Sequence, residues 1–353
     1  MTRDDVLSAI AGNRTLKGVD LSGLDLSGAN LSGGRFEDVR FQNADLRGVN
    51  ILRTGLKRCD FSGARLDGTD LSKVDLRKMI FTGASMRGVT VYQTQFQHAD
   101  LQGVDFRDTF FSWALLQHTN LAGANMAGTR FEKVLCAHAN LTGADLRNAE
   151  LTKASFRDCN MQGVNFQGCH FFKVLLAACN LAGQQFADAR FSTVNVSGAN
   201  LKGAVFRGAD IGYSNFSDAD LTGAMLDGVK TGKAMFKGAI LKEASLKNAV
   251  LVNSYFGEAD LALADLSGAD LTHAVFTGAS LRAAKFIGSS CRYTDFKNAD
   301  LTAADFTRAN LVMARFHKTI EEHTLWDGAV KFPLRGEDAD MAEAEDWQPS
   351  PIS

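Results

Sequence analysis

The sequence predicts a solenoid built of four-sided coils, twenty residues per coil and five residues per side. Three observations carry that reading. Every fifth residue from Leu16 to Phe316 is a core candidate: 58 of these 61 positions are Leu, Phe, Ile, Met or Val, and only Cys136, Cys291 and Thr231 are not. Two residues before each lies a second lattice of small residues, with 57 of 61 positions Ala, Val, Thr, Ser, Cys or Gly and the exceptions Arg14, Leu24, Met79 and Gln184. Columns also recur at twenty, such as Gly63, Gly83, Gly103 and Gly123, or Asn120, Asn140, Asn160, Asn180 and Asn200. A period of five fits neither a helix at 3.6 nor a strand at 2.0. A fixed short period without insertions means units that bury their apolar side only against neighbours. The twenty-residue columns place like side chains above one another, as amide ladders require.

The elements follow in order. Residues 1–14 form an N-terminal cap, with a short amphipathic helix over Asp4 to Ile10 covering the first coil. Residues 15–318 are the solenoid, expected as one uninterrupted rod of about 15 coils, at roughly 4.8 Å each about 70 Å long. Pro333, Pro349 and Pro351 all lie beyond the lattice, as expected where every backbone N–H is needed for ladder bonds. Residues 319–334 read as a C-terminal helical cap, because Thr319 and Glu322 have capping-box spacing and Ile320, Leu325, Trp326, Val330 and Phe332 supply apolar cover. Such caps stop an open coil from pairing end to end. Residues 335–353 read as a disordered acidic tail, which from Glu337 onward carries Glu337, Asp338, Asp340, Glu343, Glu345 and Asp346 and no Lys or Arg. Removing those six acids from the net charge of −2 leaves about +4 on the rest.

Segments such as Ala29-Asn30-Leu31-Ser32-Gly33, Ala44-Asp45-Leu46-Arg47-Gly48 and Ala219-Asp220-Leu221-Thr222-Gly223 resemble the pentapeptide-repeat family, whose motif is A(D/N)LXX. The resemblance spans about 300 of the 353 residues. It implies an all-β fold, a right-handed quadrilateral β-helix with the Leu or Phe and the small residue pointing inward. It does not imply one activity. The best-characterised members mimic DNA and protect or inhibit type II topoisomerases, and others accompany bacterial secretion systems.

No enzyme signature is present, and a regular solenoid without long loops offers no cleft of converging groups; no cofactor is expected. The six cysteines sit on the two inward lattices and read as small buried hydrophobes. Cys159 and Cys179 stack one coil apart, but their parallel directions argue against a disulfide. His98, His118 and His138 form a column whose rings point the same way, so a solvated stripe is expected in preference to a metal site. No apolar run is long enough for a membrane span and the N-terminus has no signal-peptide core, so the expected location is the bacterial cytoplasm, or export without a cleaved signal.

The outward aromatics are the most informative feature. Of 25 Phe, 22 occupy the central lattice. The outward set in the solenoid is Phe110, Phe172, Trp113, Tyr92, Tyr213, Tyr255 and Tyr293, and with Leu31 placed on side four, all but Tyr255 fall on that side. Leu115, Leu135 and Leu175 form a column at the same corner, with Lys133, Lys153 and Lys173 beside them. An apolar and aromatic strip rimmed by cations is the usual appearance of a protein partner site. Tyr92, Phe110, Trp113, Leu115, Lys133, Leu135, Lys153, Phe172, Lys173, Leu175 and Tyr213 are therefore the candidate partner-binding residues. The expected role is a non-enzymatic scaffold or adaptor. The alternatives are a DNA-mimicking gyrase modulator, against which the shortage of surface acid counts, and a secretion-system accessory or effector. Nucleic acid is not the expected partner, because the charge is modest. The oligomeric state is open, with a dimer through the C-terminal cap as one option.

Overall fold

The computed structural model describes residues 1–331. The chain divides into two units, Met1–Asn200 and Leu201–Ser353.

The first unit begins with α1, Arg3–Ala11. Its N-cap Thr2 accepts the N–H of Asp5 at 3.3 Å, and the Asp5 carboxylate accepts the N–H of Thr2 at 2.7 Å, a reciprocal capping box. The backbone N–H of Thr2 also lowers the Asp5 pKa. Val6 and Ala9 are buried and α1 packs on the first strand, as the sequence predicts for this end.

The period of five then has a structural cause. In most units the carbonyl of the central residue accepts the N–H three residues on, as from Ala29 to Leu26 at 2.9 Å. The residue between, at positions ending in 3 or 8, has positive φ, such as Gly63 at 65° and Lys133 at 54°. That is a type II turn, which explains the glycine column. The residue before the centre pairs with its equivalent twenty residues away, as in Asp100↔Asn120 and Asn120↔Asn140. Its Asp or Asn oxygen accepts the N–H two residues on, for example Ser22 to Asp20 at 3.0 Å. Amide ladders also run between coils, from Asn140 to Asn120 at 3.2 Å and Asn200 to Asn180 at 3.1 Å. Asn160 leaves the ladder for the Thr142 hydroxyl at 3.0 Å.

On two faces the turn opens into three-residue parallel strands. The first sheet is β1 (Thr15–Lys17), β2 (Arg35–Glu37) and β3 (Gly55–Lys57). The second is β4 (Thr90–Tyr92), β5 (Phe110–Ser112), β6 (Arg130–Glu132), β7 (Glu150–Thr152) and β8 (His170–Phe172), paired in register at twenty residues.

Central residues are buried nearly throughout, with Leu56 and Phe316 only half-buried. Phe41, Phe61 and Phe81 stack with ring centroids 4.8 and 4.9 Å apart, the spacing of neighbouring strands. The small lattice tolerates polar atoms by a recurrent bond to the coil below. Thr69 Oγ1 donates to the Leu46 carbonyl at 3.1 Å and Thr94 Oγ1 to that of Leu71 at 2.7 Å. The Cys159 thiol donates to Cys136 and the Gln184 amide to Met161, at 2.7 and 2.8 Å. All six cysteines are buried free thiols.

The expectation of an uninterrupted ladder needs correction in this unit. The five-residue register never slips, but no backbone hydrogen bond joins residues 48–58 to 67–77, or 163–173 to 182–192. Each opening is flanked by a long exception to the small lattice. Met79 ends the first, its Sδ taking the Cys59 N–H at 3.2 Å, and a groove of about 700 Å³ lies beside it. Gln184 sits in the second, where the groove measures about 880 Å³. There the Phe166 and Phe186 rings stand 5.5 Å apart, and Ala189 is half-exposed. A side chain too long for its slot holds two coils apart.

In the second unit the same turns and bridges recur from Leu201 onward, as in Asp220↔Ile240 and Ile240↔Asp260. Phe216, Phe236, Phe256 and Phe276 stack at 4.9, 4.7 and 4.8 Å. Thr231, a polar intruder in the central lattice, pairs its hydroxyl with that of Ser254 at 2.8 Å. The C-terminal cap is not helical over its described residues. Ile320, Leu325 and Val330 continue the parallel bridges. Thr319 turns its hydroxyl to the Phe316 carbonyl at 3.1 Å and the Glu321 carboxylate at 2.7 Å instead of capping a helix. The closure is aromatic: Trp326 stacks on Phe306 at 4.8 Å, with the Lys331 ammonium 3.4 Å from its centroid. Phe332 and the acidic tail lie outside the described residues. No described helix is long and apolar enough to cross a membrane.

Candidate protein-interaction site

The side-four residues of the first unit lie on and beside the β4–β8 sheet. Alternation along each strand turns the middle residue into the core and its neighbours outward, which is why Phe111 is buried and Phe110 exposed. Five strands at roughly 4.8 Å make a face about 20 Å long.

Its aromatics are capped by cations, three from a neighbouring coil and one, Lys173, from the next residue in the chain. Lys133 Nζ sits 4.4 Å from the Trp113 centroid, and Arg130 sits 5.4 Å from that of Phe110. Lys173 lies 5.3 Å over Phe172 and Lys73 lies 5.9 Å over Tyr92. The sequence suggested cations beside the rings; the structure lays them across the ring faces, an attraction of about 0.5–1 kcal/mol each at exposed sites. Trp113 remains 50% and Phe172 49% exposed. Leu115, Leu135, Ser155 and Leu175 bridge in series along the next column, Leu135 being the most exposed of the leucines.

Charge on this face is partly matched. Arg130 pairs with Glu150 at 3.0 Å and Lys133 approaches Glu132 at 3.7 Å. Among the described residues no ion pair involves Lys153 or Lys173. Sequence reasoning missed Arg130, Glu132 and Glu150; their spacing from Phe110 and Tyr92 in multiples of twenty was the available signal. Of the predicted set, only Tyr213 falls in the other unit, where it is 66% exposed. Tyr255, also in that unit, folds over Gly257, where an added Cβ would collide with its ring.

The remaining candidates do less. His98, His118 and His138 stack with centroids 4.9 Å apart and nearly parallel planes, and His138 Nδ1 stands 3.9 Å from Asp158. Among the described residues no group of His, Cys, Asp and Glu converges on a metal position. Outward acids are often held by arginine forks: Arg47 donates to both Asp45 oxygens at 2.9 and 2.6 Å. Asp75–Arg77, Asp105–Arg107 and Asp145–Arg147 repeat the arrangement. The Arg47 guanidinium pulls the Asp45 carboxyl down to about 2.

Comparison with curated proteins gave no match. Solved structures similar to this chain include QnrB1, a plasmid-mediated fluoroquinolone resistance protein, at 20% identity and a TM-score of 0.27, over 62% of this chain and 89% of that one. HetL, a pentapeptide repeat protein involved in heterocyst differentiation regulation from the cyanobacterium Nostoc sp. strain PCC 7120, is 18% identical with a TM-score of 0.18, over 96% of this chain and 98% of that one. Rfr23 from the cyanobacterium Cyanothece 51142 is 23% identical with a TM-score of 0.21, over 33% and 85%. The family model for pentapeptide repeats matches residues 15–51, 135–171, 169–210, 199–230, 239–278, 264–302 and 284–320, and the pentapeptide repeat region model matches 54–131. With that coverage, and a backbone whose turns and bridges recur every five residues, the chain belongs to the pentapeptide-repeat family.

Proposed function

We propose that this protein is a non-enzymatic interaction scaffold that captures another protein on the β4–β8 face. The observation that supports this reading best is the cluster of half-exposed Tyr92, Phe110, Trp113 and Phe172 on and beside one sheet, interleaved with Lys153 and Lys173, which have no carboxylate partner among the described residues. Aromatic anchors surrounded by charge are the composition from which interface hot spots are drawn. A DNA mimic instead needs dense unpaired acid, whereas Asp45, Asp75, Asp105 and Asp145 here are engaged by arginines. The test is capture of a partner from the source organism by wild type and by Trp113→Ala/Phe172→Ala, with thermal unfolding of both. Loss of capture at unchanged stability is expected, and a gyrase supercoiling assay is expected to show no effect.

A further inference from the structure

The second opening of the ladder borders this face. β8 is the last strand of its sheet, and the residues that would continue it, 182–192, make no backbone bond to it. One coil lower the equivalent bonds are all present: Gly143 to Gln162, Leu146 to Asn165, Asn148 to Gln167 and Lys153 to Phe172, each at 2.9 Å. The N–H groups of Gly163, Phe166, Gly168 and Lys173 on one wall and of Gln185 and Arg190 on the other therefore have no backbone partner across the groove. The groove holds about 880 Å³, within the range of ligand sites. Its walls carry Asn165, Gln167 and Gln185 as neutral polar groups, with His170 and Arg190 and the single acid Asp188. Phe172 and Lys173 follow the lining residue His170 in the chain, with Lys153 one coil below Lys173, and neither lysine has an ion-pair partner among the described residues.

From this we infer that the partner of the β4–β8 face enters as an extended acidic peptide strand, pairing its backbone with the free edge of β8 and its carboxylates with Lys153, Lys173 and Arg190. The inference rests on the reading of that face as a partner site. An unpaired strand edge is a template for an added strand, and in that mode main-chain bonds give affinity while side chains on alternate positions give specificity. Phe172 then packs against one alternate position of the peptide and the ammonium column faces another. Gln184 is the residue that keeps the edge available, since its amide reaches the Met161 carbonyl across the gap.

Amide hydrogen exchange on the full chain tests this, with a synthetic acetylated peptide of alternating Glu and Val as probe and the same peptide N-methylated at alternate residues as control. In the free protein the amides of Phe166, Gly168, Gln185 and Arg190 are expected to exchange at least about 100-fold faster than those of Leu146, Asn148 and Asn165. The unmethylated peptide slows them, the methylated one does not, and Lys153→Glu/Lys173→Glu weakens binding at least about tenfold. Slow exchange in the free protein overturns the inference, because the edge is then closed. Equal binding of both peptides without protection also overturns it, but leaves the face itself as a binding site. Absence of binding by either peptide at millimolar concentration overturns it as well. The Trp113→Ala/Phe172→Ala capture experiment decides separately whether the face binds anything.

Discussion

At the residue scale the fold is a matter of slot size and hydrogen-bond reach. The small inward slot accepts Ala, Val, Thr, Ser or Cys, and hydroxyls and thiols are accommodated because a carbonyl of the coil below lies within reach. Burial pushes the thiols of Cys169, Cys179 and Cys291 up to about 12, and burial without thiolate makes a cysteine inert. None of the six cysteines should react with a disulfide reagent at pH 8 in the native state, and all six should react after unfolding. The arginine forks act in the opposite direction. Asp45 has a folded pKa of about 2 against an ordinary 3.8, so its contribution is complete above pH 3.8 and lost as pH falls towards 2. Melting temperature should therefore decline over that window, and Arg47→Met, by returning the Asp45 pKa towards 3.8, should lower the plateau above pH 3.8 and make the decline below it shallower. The regular slots were legible in the sequence because each imposes one residue size every five positions. The partner of Thr231 was not, because choosing between a carbonyl and the Ser254 hydroxyl needs coordinates.

At the element scale, stacks of identical rings and the coil-to-coil ladder supply the cohesion. Phe236 is fully buried between Phe216 and Phe256, and Phe236→Ala should cost about 3–5 kcal/mol in a denaturant titration. The ladder openings follow from two side chains. Gln184→Ala restores the small slot, so residues 163–173 and 182–192 should pair, and the Phe166 and Gln185 amides should gain protection in hydrogen exchange. Unchanged fast exchange would assign the opening to another cause. The sequence already marked Met79 and Gln184 as exceptions, yet their consequence depends on whether a long side chain tucks in or props the coils apart. The C-terminal cap shows the limit of motif reading. Thr319 and Glu322 have the spacing of a capping box, but Ile320 and Leu325 fall on the bridge positions of the lattice, and pairing with Asp300 and Asp305 wins.

At the scale of the whole molecule, the lattice that defines each unit leaves function to the outward positions. Those positions obey no slot rule, so their departures from the repeat carry the information. The aromatic side was visible from spacing alone. That the lysines lie over the rings, that Glu132 and Glu150 temper the charge, and that Tyr255 is folded away were not, since they depend on rotamers. The β4–β8 face is proposed as the working surface of the protein. Partner capture by Trp113→Ala/Phe172→Ala, read beside its melting temperature, tests this most directly. Capture should be abolished with a melting temperature within about 2 °C of wild type, as for substitutions of exposed side chains. Undiminished capture by that variant would rule out that role for the face.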